Sequence, residues 1–278
     1  MEATKLEFES IYFDLYELSS GIFAAISAEK MPTSNAGFFD LGNYLVVFDA
    51  LMDPYSTVDL IKASKQFTNK EPSFLINSHH HMDHIFGNRK FPMNVPIISS
   101  SEALIEAQQT LGTRVKDFKE RAPEEIKRTE ELLLNEKDPN KILELKNDVN
   151  TWNEIKEPSF SLRLPDFIIN DSFTIKGTKN QVQIIYIGAA HSKGDIIAYF
   201  EKEKICFMGD LLFEETDPSW ATAAEGVPHP PDPEHLRDIL IEYAEKDIAI
   251  YVPGHGNLCT EKELRENAEF YDEYYIKK

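Results

Sequence analysis

Through the first hundred residues the apolar positions alternate or run in short blocks, the pattern of strands. Residues 8–17 and 21–28 carry two such blocks, and 37–41 and 44–49 carry two more, punctuated by Asn35, Gly37 and Gly42. From Ser56 the period becomes helical. Ser56 and Asp59 stand at capping-box spacing, and Val58, Leu60, Ile61 and Ala63 follow. Residues 73–77 and 96–100 predict two short buried strands. The stretch from 102 to about 157 is different: Lys, Glu, Leu and Ile dominate, and Pro139 breaks the run. It predicts two or three helices inserted into the scaffold, read either as a lid over a pocket or as a surface for a homodimer. After Pro165 the strand pattern returns at 167–170, 172–175, 182–187, 196–200 and 205–208. Asp232 and Pro233 open a helix to about Glu245, 248–252 is a last strand, and a last helix runs from Glu261 to the terminus. Strands followed by helices occur twice, which predicts an α/β protein of two packed sheets with helices outside.

Composition narrows this further. A chain of 278 residues is one large or two small domains, and the continuous pattern is read as a single domain over 1–278 with a helical insertion. The 29 basic and 48 acidic residues give a net charge of −19, which disfavours nucleic acid as a partner. No run approaches the ~18 apolar residues that a membrane span needs. Residues 1–10 show no basic region followed by an apolar one, so no secretory leader is expected. Cys206 and Cys259 are the two cysteines and have no CxxC spacing. A cytoplasmic location is therefore expected.

The chemistry is concentrated in residues 77–84, NSHHHMDH, where His79, His81, Asp83 and His84 follow a predicted buried strand at once. Imidazole and carboxylate suit borderline divalent metals. Alternate residues of an extended segment point the same way, so His79 and His81 can meet one ion while Asp83 and His84, past the turn, face a second. His80 alternates to the far face and is read as a structural or surface residue.

These residues resemble the HxHxDH signature of the metallo-β-lactamase superfamily. Three later segments resemble its further motifs, in order: 188–195 around His191, 207–213 around Asp210, and 252–256 around His255. Asp49, ending a predicted strand, resembles the family's early aspartate. The resemblance covers roughly residues 20–258, interrupted by the helical stretch. It implies an αββα sandwich with metals at one edge. It also implies that His79, His81 and His191 hold one ion, that Asp83, His84 and His255 hold another, and that Asp210 bridges them. The ions implied are zinc first, with manganese or iron also suited.

Two such ions would ionise a water near neutral pH and polarise the attacked oxygen, giving a metal-bound hydroxide as nucleophile. Asp83 is the residue that can also move a proton. The chemistry expected is hydrolysis of a small-molecule ester, lactone, thioester, amide or phosphodiester. Secreted zinc β-lactamases carry Cys at the Asp210 position, and nuclease relatives carry large insertions or basic surfaces. Thioesterases of the glyoxalase II kind carry a long helical region after the last histidine, where this sequence has 23 residues after His255. The alternative is a persulfide dioxygenase with one iron, held in that branch by the equivalents of His79, His191 and Asp210. Trp220 is a candidate wall of the pocket. His229 and His235, in and beside a Pro-rich loop, carry little weight, and Cys206 is read as a small core residue.

Overall fold

The computed structural model describes residues 3–27, 30, 33–214 and 230–277. Eight strands form the first sheet in chain order: β1 (Thr4–Lys5), β2 (Asp14–Ser19), β3 (Ile22–Ile26), β4 (Ala36–Asp40), β5 (Leu45–Phe48), β6 (Phe74–Ile76), β7 (Ile97–Ser100) and β8 (Phe167–Ile169). The pairs from β1 to β5 are antiparallel, and those from β5 to β8 are parallel. The second sheet holds β9 (Phe173–Lys176), β10 (Gln181–Gly188), β11 (Asp195–Phe200), β12 (Ile205–Phe213) and β13 (Ile250–His255). Its order is β13-β12-β11-β10-β9, with β12 and β13 parallel.

Alternation along the strands builds the layers. Ile22, Ala24, Val46 and Phe48 from the first sheet meet Val182, Ile184, Ile196, Phe200 and Phe207 from the second in one buried core. The intervening residues Phe23, Ala25, Leu45 and Val47 face outward under α1 (Pro54–Thr68), which contributes Leu60 and Ala63. On the other side Ile197, Cys206, Met208 and Tyr251 lie under α5 (Pro233–Ala244) and α6 (Glu261–Tyr271) through Leu236, Leu240, Leu264 and Ala268. The result is the expected αββα sandwich. Cys206 is fully buried, as expected of a core residue, and burial pushes its thiol pKa up.

Several boundaries differ from the sequence reading. Residues 8–13 are not a strand; β2 begins at Asp14. α1 begins two residues before Ser56, because Asp53 is the cap. Its carboxylate accepts from the backbone N–H of Tyr55 at 2.6 Å and of Ser56 at 3.1 Å, with Pro54 in the first turn. Pro139, read as a break, plays the same part at the start of another helix under an Asp138 cap.

The stretch from 102 to 157 forms a hairpin of two helices, α3 (Ser101–Leu133) and α4 (Pro139–Lys156). Pro123 lies inside α3. The hairpin packs Ala107, Phe118, Ala122, Trp152 and Ile155, together with Phe160, against Met82, Ile85 and Phe86. Met82 and Ile85 belong to the short helix α2 (Met82–Ile85), which also carries Asp83 and His84. The hairpin therefore supports the back of a candidate ligand segment. Arg89 adds a guanidinium 4.5 Å over the Phe160 ring and an ion pair with Glu154.

Candidate metal centre

Every candidate ligand lies at one edge of the sandwich, on or just past strands from both sheets. β6 leads directly into Asn77, Ser78 and His79, and α2 begins after His81. β10 ends three residues before His191, Asp210 lies within β12, and His255 ends β13. The two sheets are joined here by backbone, since the Ile196 N–H donates to the Ser78 carbonyl at 2.9 Å. Two glycines permit the approach. Gly209, at a φ of +53°, lies where a Cβ would come within 2.9 Å of the Ser78 Cβ. At Gly254 a Cβ would overlap Asp210 Oδ1 and come within 2.8 Å of the Gly209 carbonyl carbon.

Two groups of potential donors result, and they share one residue. His79, His81, His191 and Asp210 form the first; Asp83, His84, Asp210 and His255 form the second; within each, the ligand atoms lie within 4.8 Å of one another. Asp210 Oδ2 faces the first group, 3.3 Å from His191 Nε2 and 3.6 Å from His79 Nε2. Asp210 Oδ1 faces the second, 2.9 Å from His84 Nε2 and 3.5 Å from His255 Nε2. The open side is at His81 and Asp83, which are half-buried while the other five residues are buried.

The surroundings fix the rings. Asp49, 1% exposed, accepts from the Ser78 N–H and hydroxyl, each at 2.7 Å, and its Oδ2 lies 2.8 Å from His84 Nδ1. That pairing aims His84 Nε2 at the centre. Ser78 Oγ lies 3.0 Å from His79 Nδ1, which aims His79 Nε2 the same way. The Nε2 atoms of His79 and His84 and Asp210 Oδ1 are buried without a hydrogen bond. Orphaned buried acceptors converging from imidazole and carboxylate are what a divalent cation satisfies. The residues present fit such ions.

The sequence model of the metallo-beta-lactamase superfamily matches residues 32–255. The chain belongs to this superfamily. Among solved structures its fold is similar to a metallo-beta-lactamase from Pontibacter korlensis, at 15% identity and a TM-score of 0.62 over 94% of this chain and 99% of that one. It is also similar to the metallo-beta-lactamase FIM-1 from Pseudomonas aeruginosa in its mono-zinc form, at 13% identity and a TM-score of 0.62 over 94% and 96%. A third likeness is to a metallo beta lactamase from Hirschia baltica, at 14% identity and a TM-score of 0.61 over 93% and 97%. At such identities the likeness shows the fold alone. No curated protein matches the chain in sequence. Among the described residues no helix is long and apolar enough to cross a membrane.

The metallo-beta-lactamase edge carries a strong internal field. Burial opposes charge on His84, but Asp210, Asp83 and Asp49 outweigh it and hold its pKa well above the usual imidazole range. His255 follows the same logic: burial lowers its pKa, yet Asp210 and Asp83 bring it to about 9. His79 goes the other way, because burial and the neighbouring His84 outweigh Asp210 and hold it well below the usual range. Burial raises Asp210, but His84, His255 and His79 pull it well below a normal carboxyl. The carboxylates thus favour positive charge at this edge, which a bound cation would supply in place of protons.

Other sequence expectations meet mixed outcomes. His80 belongs to neither donor group. His235 does more than its weight in the sequence suggested: its Nδ1 donates to the Ala189 carbonyl at 2.7 Å, tying α5 to the turn before His191. Trp220 and His229 lie outside the described residues. Sequence reasoning gave no positioning role to Ser78, Asn77 or Asn88. Asn77 and Asn88 form a reciprocal amide pair at 3.0 and 2.8 Å, and Asn88 also donates to the Arg163 carbonyl at 3.1 Å. That pair locks the strand before His79 to the turn after His84. The only sequence signal was their position flanking the histidine segment.

Proposed function

We propose that this chain is a dinuclear metal-dependent hydrolase acting on a small-molecule ester, lactone, thioester or phosphodiester. The observation that carries this reading is the division of the two Asp210 oxygens between two donor groups. His79, His81 and His191 would hold one ion, Asp83, His84 and His255 the other, and Asp210 both. Zinc is the first candidate: it suits this donor set, as manganese and iron also do, and a similar fold from Pseudomonas aeruginosa is described in a mono-zinc form. Asp83, His84 and His255 supply what a second ion needs, and metal count and identity separate this reading from the single-iron dioxygenase one.

Divalent ions, when bound, supply Lewis acidity towards a substrate oxygen and make water acidic enough to ionise near neutral pH. The chain's own residues do the rest. Asp49 holds the His84 ring so that Nε2 faces inward. Asp83, 26% exposed on its side chain, is the carboxylate at the open side, and its Oδ2 lies 3.0 Å from His255 Nε2. It is placed to take a proton from an attacking water and hand it to a leaving group. Phe213 stacks on His255 with ring centroids 5.4 Å apart and lies 5.8 Å from His191, which keeps water from that side. The net charge of −19 disfavours nucleic-acid substrates.

The test is a panel of ester, lactone, thioester and phosphodiester substrates, each assayed with native protein, after chelation, and after zinc is restored. Turnover that chelation abolishes, zinc restores and Asp83→Ala lowers by ~100-fold or more is the expected result. Turnover that survives chelation, or a purified protein that carries one iron and consumes oxygen with a persulfide, would overturn it.

A further inference from the structure

We propose that Ser34 and Asn35 form a clasp that sets the metal affinity of the second group, Asp83, His84 and His255, separately from the first. The inference rests on the two-ion reading. The second group is assembled across a seam: Asp83 and His84 follow β6 of the larger sheet, while His255 ends β13 of the smaller. Their contact, Asp83 Oδ2 to His255 Nε2 at 3.0 Å, requires those chain ends to be held in register.

Residues 34 and 35 enter β4 directly across that seam. Ser34 Oγ donates to the Asp83 carbonyl. The Asn35 backbone N–H donates to the Gly254 carbonyl at 2.7 Å. Its side-chain Nδ2 donates to the Pro253 carbonyl at 3.0 Å and the Gly256 carbonyl at 2.9 Å. Asn35 thus gathers three carbonyls that bracket His255, while the neighbouring Ser34 holds Asp83. The amide oxygen is anchored in turn, accepting from the Ser27 N–H at 3.0 Å and the Ser27 hydroxyl at 3.3 Å. Ser34 is fully buried and Asn35 is 3% exposed, so water does not replace bonds that are lost. These hydrogen bonds, among the described residues, reach none of His79, His81 and His191, whose supports are Ser78 and the 189–195 turn.

Asparagine suits this place for a chemical reason. Two carbonyl oxygens face its nitrogen, so a carboxylate there sets like partial charges together, and a shorter side chain leaves the carbonyls unpaired. Partners that orient a ligating residue without touching the metal change affinity by roughly 10–100-fold.

The test uses metal-free full-length protein, with stepwise zinc uptake followed by calorimetry and by absorption after cobalt substitution. His255→Ala first identifies which uptake step belongs to the second group. Asn35→Asp and Asn35→Ala are expected to weaken that step by tenfold or more and leave the other within threefold. Ser34→Ala, which removes one hydroxyl and is the variant most certain to fold, is expected to weaken the same step by about threefold or more. Asp40→Ala removes a buried carboxylate at the opposite end of β4, where it accepts from the Gly42 N–H at 3.0 Å and from Lys70 at 2.7 Å, and is expected to lower stability while leaving both steps unchanged. The clasp is overturned if the Asn35 variants weaken both steps equally or neither, or if Asp40→Ala reproduces their effect. A wild-type protein that takes up one ion overturns the hydrolase reading and the clasp together. Two ions with parallel losses overturn the clasp alone.

Discussion

Asp49→Asn isolates the orientation of His84 from its presence. Asp49 has a φ of +62° at the end of β5, a left-handed conformation that asparagine tolerates as well as aspartate, so the backbone is left unstrained. The amide oxygen can still accept from the Ser78 N–H. The new amide nitrogen then faces the Ser78 hydroxyl and His84 Nδ1, where Asp49 Oδ2 stood at 2.7 and 2.8 Å. Two donors meet at Nδ1, so the imidazole proton moves to Nε2, the atom that lies 2.9 Å from Asp210 Oδ1 and must be bare to hold a metal. Loss of such a support costs ~10–100-fold in metal affinity, which is about 1.4–2.7 kcal/mol. Loss of the charged acceptor also lowers the stability of the metal-free fold by about 1.5–3 kcal/mol. Calorimetric zinc uptake reads the first effect, and urea unfolding of metal-free protein reads the second. The expected result is one weakened uptake step with the other kept. Uptake within twofold of wild type at both steps would refute the claim that Asp49 sets the His84 tautomer.

Further outcomes follow from other parts of the structure. Gly254→Ala places a Cβ onto Asp210 Oδ1 and close to the Gly209 backbone, neither of which can give way; both uptake steps should weaken by about tenfold or more, and unchanged uptake would contradict the bridging role of Asp210. His255 has a pKa raised from 6.5 to about 9, so its proton stabilises the metal-free fold below pH 6.5, and that contribution is lost as pH rises through 9. Zinc must displace the same proton, so uptake should strengthen across that window, and a flat pH profile in His255-containing protein would argue against it. Asp148 is raised from 3.8 to about 6 by burial, with Asp53 and Glu144 adding to it, so the cost of ionising it in the fold builds from pH 3.8 to about 6 and persists above. Asp148→Asn should raise the melting temperature at pH 7.5 by about 1 °C and have no effect at pH 3.5. Phe160→Ala removes a ring that packs on Phe86 with centroids 6.0 Å apart and carries Arg89 over its face. It should cost about 3 kcal/mol by urea unfolding, and a cost under about 1 kcal/mol would mean the α3–α4 hairpin does not support α2.

The candidate ligands were legible because metal chemistry restricts residue types and because HxHxDH packs four of them into six positions. The αββα layering was legible for a related reason: β3, β4, β5, β12 and β13 are buried on both faces, so they read as dense apolar blocks. The starts of α1 and α4 were harder. Asp-Pro is both a turn signal and a helix cap, and only the accepted hydrogen bonds at Asp53 and Asp138 decide between them. β1 is two residues long and exposed, so it left no periodic trace. The supports of the centre were hidden most deeply. Asn35 lies 218 residues from Pro253 in sequence, and a polar residue in a loop looks the same whether it is solvated or spans a seam. The packing of the hairpin on α2 was hidden for the same reason, because an amphipathic helix declares that it has a buried face without naming its neighbour.

The central claim is that one carboxylate joins two metal groups, and metal content per chain tests it most directly. Protein purified without a histidine tag or added metal is measured by elemental mass spectrometry against protein concentration, beside Asp210→Ala. The account expects about two zinc or manganese ions per wild-type chain, with occupancy of both positions falling in the variant. A single ion per chain, or an Asp210→Ala protein that keeps full occupancy, would contradict it.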